Sequence, residues 1–169
     1  DYIIERLRAY YVEGGAGFDV TAEMFDAVLA TRPTSPLDFD ARLRALVEFL
    51  HLPEAQALAA ANKRIANILR KATEPVGDRV DADRLVDPAE QILGEQVEAI
   101  ARQVEPKFAA RDYTEALKSL AVLRNAVDAF FDSVMVMADD AALRANRLAL
   151  LKRMQGLFMH AADLSRLPG

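Results

Sequence analysis

Tyr113-Thr114-Glu115-Ala116-Leu117-Lys118-Ser119-Leu120-Ala121-Val122-Leu123-Arg124-Asn125-Ala126-Val127-Asp128-Ala129-Phe130-Phe131-Asp132-Ser133-Val134 is the stretch whose reading decides the fold class. Its apolar residues Ala116, Leu120, Leu123, Val127, Phe130 and Val134 recur at steps of 4, 3, 4, 3 and 4. Such spacing lays one stripe along a helix and gives a strand nothing to bury on a single face, because a strand needs alternation. Asp112 precedes the run as an N-cap, with Glu115 three residues on.

The same grammar extends outward. Toward the C-terminus, Asp139 or Asp140 is expected to cap a last long helix with Leu143, Leu150, Met154, Leu157 and Ala161 on or near one face. Toward the N-terminus, Asp87-Pro88-Ala89-Glu90 reads as a capping box. The helix after it carries Ile92, Leu93, Val97, Ile100 and Val104, and Pro106 is expected to kink or end it. Residues 73–86 lack periodicity and read as a loop. Before them a long Ala-rich helix is expected from about Glu54 to Lys71, separated by His51-Leu52-Pro53 from one opened by Ser35-Pro36. Two more helices precede these, the first ended by Gly14, Gly15 and Gly17 and the second following Asp19. No segment alternates for long enough to claim a sheet. The expectation is an all-α bundle of about seven helices.

Composition narrows the function classes. The chain has 169 residues, 52% of them hydrophobic, enough to bury an ordinary core. It has no Cys and only two His, His51 and His160, which excludes disulfides, thiolate zinc sites and a Cys nucleophile. No apolar run approaches membrane-spanning length, so no membrane partner is expected and the location is read as cytoplasmic. The chain opens on Asp1 and is expected to be part of a longer protein. There is no Gly-rich phosphate loop, no GxSxG and no HExxH. Asp38 and Asp40 near His51 make an unconvincing acid/base set, since Asp38 belongs to a first helical turn. Neither a catalytic centre, nor a metal, nor a cofactor is expected in this chain.

Charge is uneven. The net charge is −5, which excludes a uniformly basic coat. Yet residues 62–73 hold Lys63, Arg64, Arg70 and Lys71 with no acid (+4). Residues 141–169 hold Arg144, Arg147, Lys152, Arg153 and Arg166 against Asp163 alone, again +4. If the two segments pack side by side they form a positive surface on a negative protein, suited to phosphates. Both also admit a blander reading as solvated faces with charge that favours the helix dipole. Phe130-Phe131, with Met135 and Met137 behind, offers a stacking platform, although Phe130 lies in the seam and reads as core. Tyr113 is ambiguous between core and ligand contact.

Three runs carry a family resemblance: Asn62-Lys63-Arg64-Ile65-Ala66-Asn67-Ile68-Leu69-Arg70-Lys71, Asp128-Ala129-Phe130-Phe131-Asp132-Ser133-Val134-Met135-Val136-Met137, and Leu143-Arg144-Ala145-Asn146-Arg147-Leu148. In this order they resemble the C-terminal part of bacterial glycyl-tRNA synthetase beta subunits. Asp140-Ala141-Ala142-Leu143-Arg144 is similar to the signature of the DALR anticodon-binding domain, shared with arginyl-tRNA synthetases, and Ala162-Asp163-Leu164-Ser165-Arg166-Leu167 fits the end of that subunit. The resemblance implies a DALR-like helical bundle over residues 58–169, preceded over 1–57 by the helical end of the neighbouring region. It further implies an assembly of two alpha and two beta subunits, ATP and glycine handled by the alpha subunit, and tRNA(Gly) as partner.

Glycine anticodons carry two cytosines, whose edges present two acceptors and one donor. On that reading Arg64 addresses the acceptors, Asn67 reads both ways, and Lys63, Arg70 and Lys71 contact phosphate. Arg144 and Arg147 add backbone contacts, and Arg64, Tyr113 or Phe131 supplies a flat partner for an unstacked base. The competing expectation is a helical protein-interaction module that docks an acidic partner. A phosphohydrolase-like helical domain is disfavoured because paired His and Asp ligands are missing.

Overall fold

The computed structural model describes residues 2–168. Among these, eight α-helices follow in order: α1 (Tyr2–Val12), α2 (Ala22–Leu29), α3 (Pro36–Leu50), α4 (Ala55–Lys71), α5 (Pro88–Ala109), α6 (Tyr113–Leu120), α7 (Arg124–Ser133) and α8 (Ala141–Met159). Three short 3₁₀ turns accompany them, and the described residues contain no strand.

Local chemistry sets most boundaries. Ser35 caps α3 through the Asp38 amide and Pro36 opens it. Asp140 caps α8 by accepting from the amides of Ala142 and Leu143. Glu90 folds back to accept from the amides of Val86 and Asp87 at 2.7 and 3.0 Å, which fastens the start of α5. The cap of α2 is Thr21, two residues beyond the expected Asp19. Pro106 does not end α5, which runs on to Ala109. Both Pro106 and Arg102, whose carbonyl loses its helical partner there, face solvent, where water replaces the missing amide.

The deciding stretch forms one rod with an interruption. A 3₁₀ turn at Ala121–Leu123 separates α6 from α7, and all six seam residues are nonetheless buried. Counted as rods, the bundle therefore has the expected seven members. Helix α8 departs from the single-face expectation. Asn146 through Leu151 are buried without a break, because α4, α5, α6 and the 82–84 turn all pack around this helix. It is the central helix of the bundle.

One contiguous core runs from Tyr11 to Leu167. Helix α3 packs on α6, α2 packs on the C-terminal 164–166 turn, and the Asp163 amide donates to the Ala27 carbonyl at 2.8 Å. Residues 1–57 thus share their interior with the remainder. Asp38 joins the two parts: its buried carboxylate accepts from the Tyr113 hydroxyl and from Arg42. Burial opposes ionisation there, but those two donors outweigh it and hold the Asp38 carboxyl below its ordinary range. With Asp38 committed in this way, the imagined Asp38–Asp40–His51 set has no free acid at its head.

Candidate nucleic-acid interface

The C-terminal half of α4 buries Ile65 and half-buries Ile68 and Leu69, so its cationic side chains are turned outward. Asn62, at the start of the motif, is buried and donates to the Leu58 carbonyl at 2.9 Å, a role internal to the helix. Arg64 is exposed and lies over the Phe131 ring of α7, 4.3 Å from its centroid. Phe131 is half-buried and meets core Phe130 edge-on at 5.5 Å. The Arg64 guanidinium is thereby held against the ring while the side chain stays open to solvent. Arg70 donates to the Asn67 side-chain oxygen at 2.7 Å, and this leaves the Asn67 amide group as a donor toward solvent. Lys63 is half-buried and Lys71 is exposed.

Helix α4 packs against both α7 and α8. Where α4 ends, residues 72–76 form one wall of a shallow cleft whose other wall is Met137, Ala141, Arg144, Ala145 and Leu148. The end of the first basic segment and the beginning of the second are therefore neighbours. Among the described residues, Arg64, Arg70, Lys71 and Arg144 form no ion pair with a carboxylate. Arg144 does donate through Nη1 to the carbonyls of Ala138 and Asp139, at 2.8 and 3.3 Å, which ties its guanidinium to the loop before α8.

Two expected site residues fall outside this surface. Arg147 is only 5% exposed. Its guanidinium grips Glu90 through two bonds at 2.9 and 3.1 Å, reaches Asp87 at 2.9 Å and donates to the Met135 carbonyl at 2.7 Å. Four of its five N–H groups are engaged within the chain and the residue is buried, so Arg147 is corrected from RNA contact to internal clasp. Burial alone would raise the Glu90 carboxyl, but Arg147 and the Val86 and Asp87 amides overcome it and push it down. Tyr113 is corrected likewise: it is buried, with its hydroxyl on Asp38 and the Arg42 guanidinium 5.0 Å from its ring centroid, so no base can stack on it.

The remaining bases of α8 are neutralised. Lys152 pairs with Asp78 at 2.6 Å and donates to the Val76 carbonyl, whereas Arg153 reaches Glu98 and Glu105 on α5. The 73–86 loop is held against α8 by a further device that the sequence reading missed. The Asn146 side chain both accepts from the Asp81 amide (2.7 Å) and donates to the Asp81 carbonyl (2.9 Å), as a strand partner would. Met135 and Met137, read from the sequence as standing behind the aromatic pair, are 71% and 52% exposed. Their position after the seam's last helical residue and before the Asp140 cap was the available signal. His160 sits by Phe108, and burial lowers its pKa below the ordinary imidazole value. No cluster of His, Cys, Asp and Glu suited to a metal ion occurs among the described residues, and no described helix is long and apolar enough to cross a membrane.

A helical bundle with Arg64, Arg70 and Lys71 unpaired with acids among the described residues, a guanidinium over an aromatic ring, and a DALR-like α8 defines a class. The chain belongs to the DALR anticodon binding domain family, whose model matches residues 58–164. More particularly, it is 54% identical over 169 residues to the glycine–tRNA ligase beta subunit of Marinobacter nauticus, covering 99% of this chain and 24% of the relative. Likeness to the proteins of the same name from Tolumonas auensis (54% over 167 residues, 99% and 24%) and Haemophilus influenzae (51% over 165 residues, 98% and 23%) is similar. The chain spans about a quarter of the length of these curated relatives.

Proposed function

We propose that this chain is the anticodon-recognising part of a glycine–tRNA ligase beta subunit, acting in the cytoplasm on tRNA(Gly). Catalysis belongs to the alpha subunit of an alpha2beta2 assembly, which would use ATP and glycine. This chain contributes position. Contacts at the anticodon supply binding energy that holds the distant acceptor end in the alpha subunit's site, and a wrong anticodon forfeits that energy.

The observation that supports this reading best is the exposed Arg64 over Phe131 on the same helix as Arg70 and Lys71, with Arg144 at the cleft where that helix ends, none paired with an acid among the described residues. An unpaired base needs a planar partner and a donor for its acceptor edge, and the plane and N–H groups of Arg64 offer both. Asn67 retains its amide donors toward the same side, and the remaining cations suit the strand's phosphates.

The test is aminoacylation by the complete two-subunit enzyme carrying Arg64→Ala. A drop in kcat/KM for tRNA(Gly) of roughly 10- to 100-fold is expected, with a narrower gap between cognate and anticodon-altered transcripts. An unchanged gap would reject the reading. The rival, a module docking an acidic protein, predicts instead that this chain shows no preference for the cognate transcript in a gel-shift titration.

A further inference from the structure

The connection from Val134 to Asp140 presents a pattern that helix packing does not explain. Val136 points inward and is buried, while Met135 and Met137 on either side stand in solvent. Exposed pairs of large apolar side chains are ordinarily on mobile loops or are covered by something. This loop is anchored: Arg147 donates to the Met135 carbonyl and Arg144 to those of Ala138 and Asp139. Two guanidiniums, one of them buried against Glu90, thus hold the backbone from which both methionines project.

We propose that Met135 and Met137 are the apolar part of the base-binding surface, a thioether ledge for unpaired nucleotides next to the cleft that Arg144 lines at the end of α4. This rests on the anticodon-recognition reading above and adds to it residues and a division of labour. Charge favours RNA over an apolar protein face. Met137 shares the cleft with Arg144, and the cleft's other wall begins at Ala72, directly after Arg70 and Lys71, so the ledge borders a cation and lies at the end of the basic helix. The acids nearby are Asp132, Asp139 and Glu74, with Asp140 engaged in its cap. Their repulsion directs phosphates toward α4 and leaves the methionines to face bases. A thioether is polarizable and unbranched, so it adapts to any base face without reading its edge.

The experiment uses this chain, whose single core spans it, with ¹³C-labelled methionine methyl groups. There are five methionines, Met24, Met135, Met137, Met154 and Met159, and Met135→Leu and Met137→Leu assign the two of interest. The chain is titrated with the anticodon hairpin of a glycine tRNA, with a blunt RNA duplex, and with the alpha subunit. Upfield ring-current shifts of Met135 and Met137 are expected with the hairpin only, while buried Met154 stays in place. The Met135→Ser, Met137→Ser double variant is expected to bind the hairpin about tenfold more weakly with an unchanged helical circular dichroism spectrum, and the leucine variants to bind nearly normally. Hairpin binding with both methyls unmoved overturns the ledge and leaves anticodon recognition standing. Failure of the hairpin to bind at all overturns both. Shifts produced by the alpha subunit and not by the hairpin make this surface a subunit interface and overturn the proposal.

Discussion

Residues 62–73 and 141–169 carry the same net charge, +4, yet they end in opposite electrostatic states. On α4, Arg64, Arg70 and Lys71 have no carboxylate partner among the described residues: Arg64 lies over a ring, Arg70 on an amide oxygen, and Lys71 is exposed. On α8 the acids of α5 and of the loop before it take up nearly every charge, leaving Arg144. Net charge in a segment therefore says little about binding capacity until the partners in space are known. A cation surrounded by carboxylates stabilises the fold, and one without them is available to a polyanion.

That contrast yields predictions of decreasing size. Arg147→Ala leaves Glu90 buried without its partner and is expected to cost about 3–5 kcal/mol, read as a fall of roughly 10 °C in Tm. By comparison, Arg64→Ala is expected within about 0.5 kcal/mol of the parent protein in the same measurement, since the surface it leaves is exposed. Equal losses at the two positions would erase the distinction between clasp and binding face.

Acidification probes the clasp directly. The folded-state pKa of Glu90 lies below its unfolded value of about 4.3, so the folded state holds fewer protons near pH 4. Its stability contribution is then complete above that pH and lost as pH falls through the depressed value. Glu90→Gln is expected to flatten this part of a stability-against-pH curve; an identical slope in both proteins would show that Glu90 is not the titrating group.

The binding face is probed by salt. Arg70→Ala and Lys71→Ala are each expected to lower the slope of log affinity for tRNA against log salt by about one. Lys152→Ala and Arg153→Ala should leave that slope as it was. A small effect is expected of Arg153→Ala in denaturant unfolding, below about 1 kcal/mol, because its pairs with Glu98 and Glu105 are partly solvated.

Much of the fold was legible residue by residue. The 4-3-4-3-4 seam, the Ser35, Asp112 and Asp140 caps and the Glu90 capping box are local, and the structure carries all of them. Pro106 reads as a kink or an end of α5, and of the two the end does not occur, since solvent on that face lets the helix continue. The candidate interface was legible only in part. Arg64, Phe131 and Arg144 come to the shared α4–α7–α8 surface, but Arg147 follows Arg144 by three residues and lies on the inner side. Spacing alone places the two one turn apart and cannot say which of them meets Glu90, 57 residues away in sequence.

Periodicity, capping chemistry and composition thus determined an all-helical chain, its element order and the positions of its two basic segments, because each depends on neighbours within a turn or two. The tertiary structure decided which cations are neutralised, which aromatic ring supports Arg64 and which methionines face solvent. Those outcomes depend on contacts between helices distant in sequence, and α8, buried without a break from Asn146 to Leu151, shows how packing can override the face that a pattern predicts.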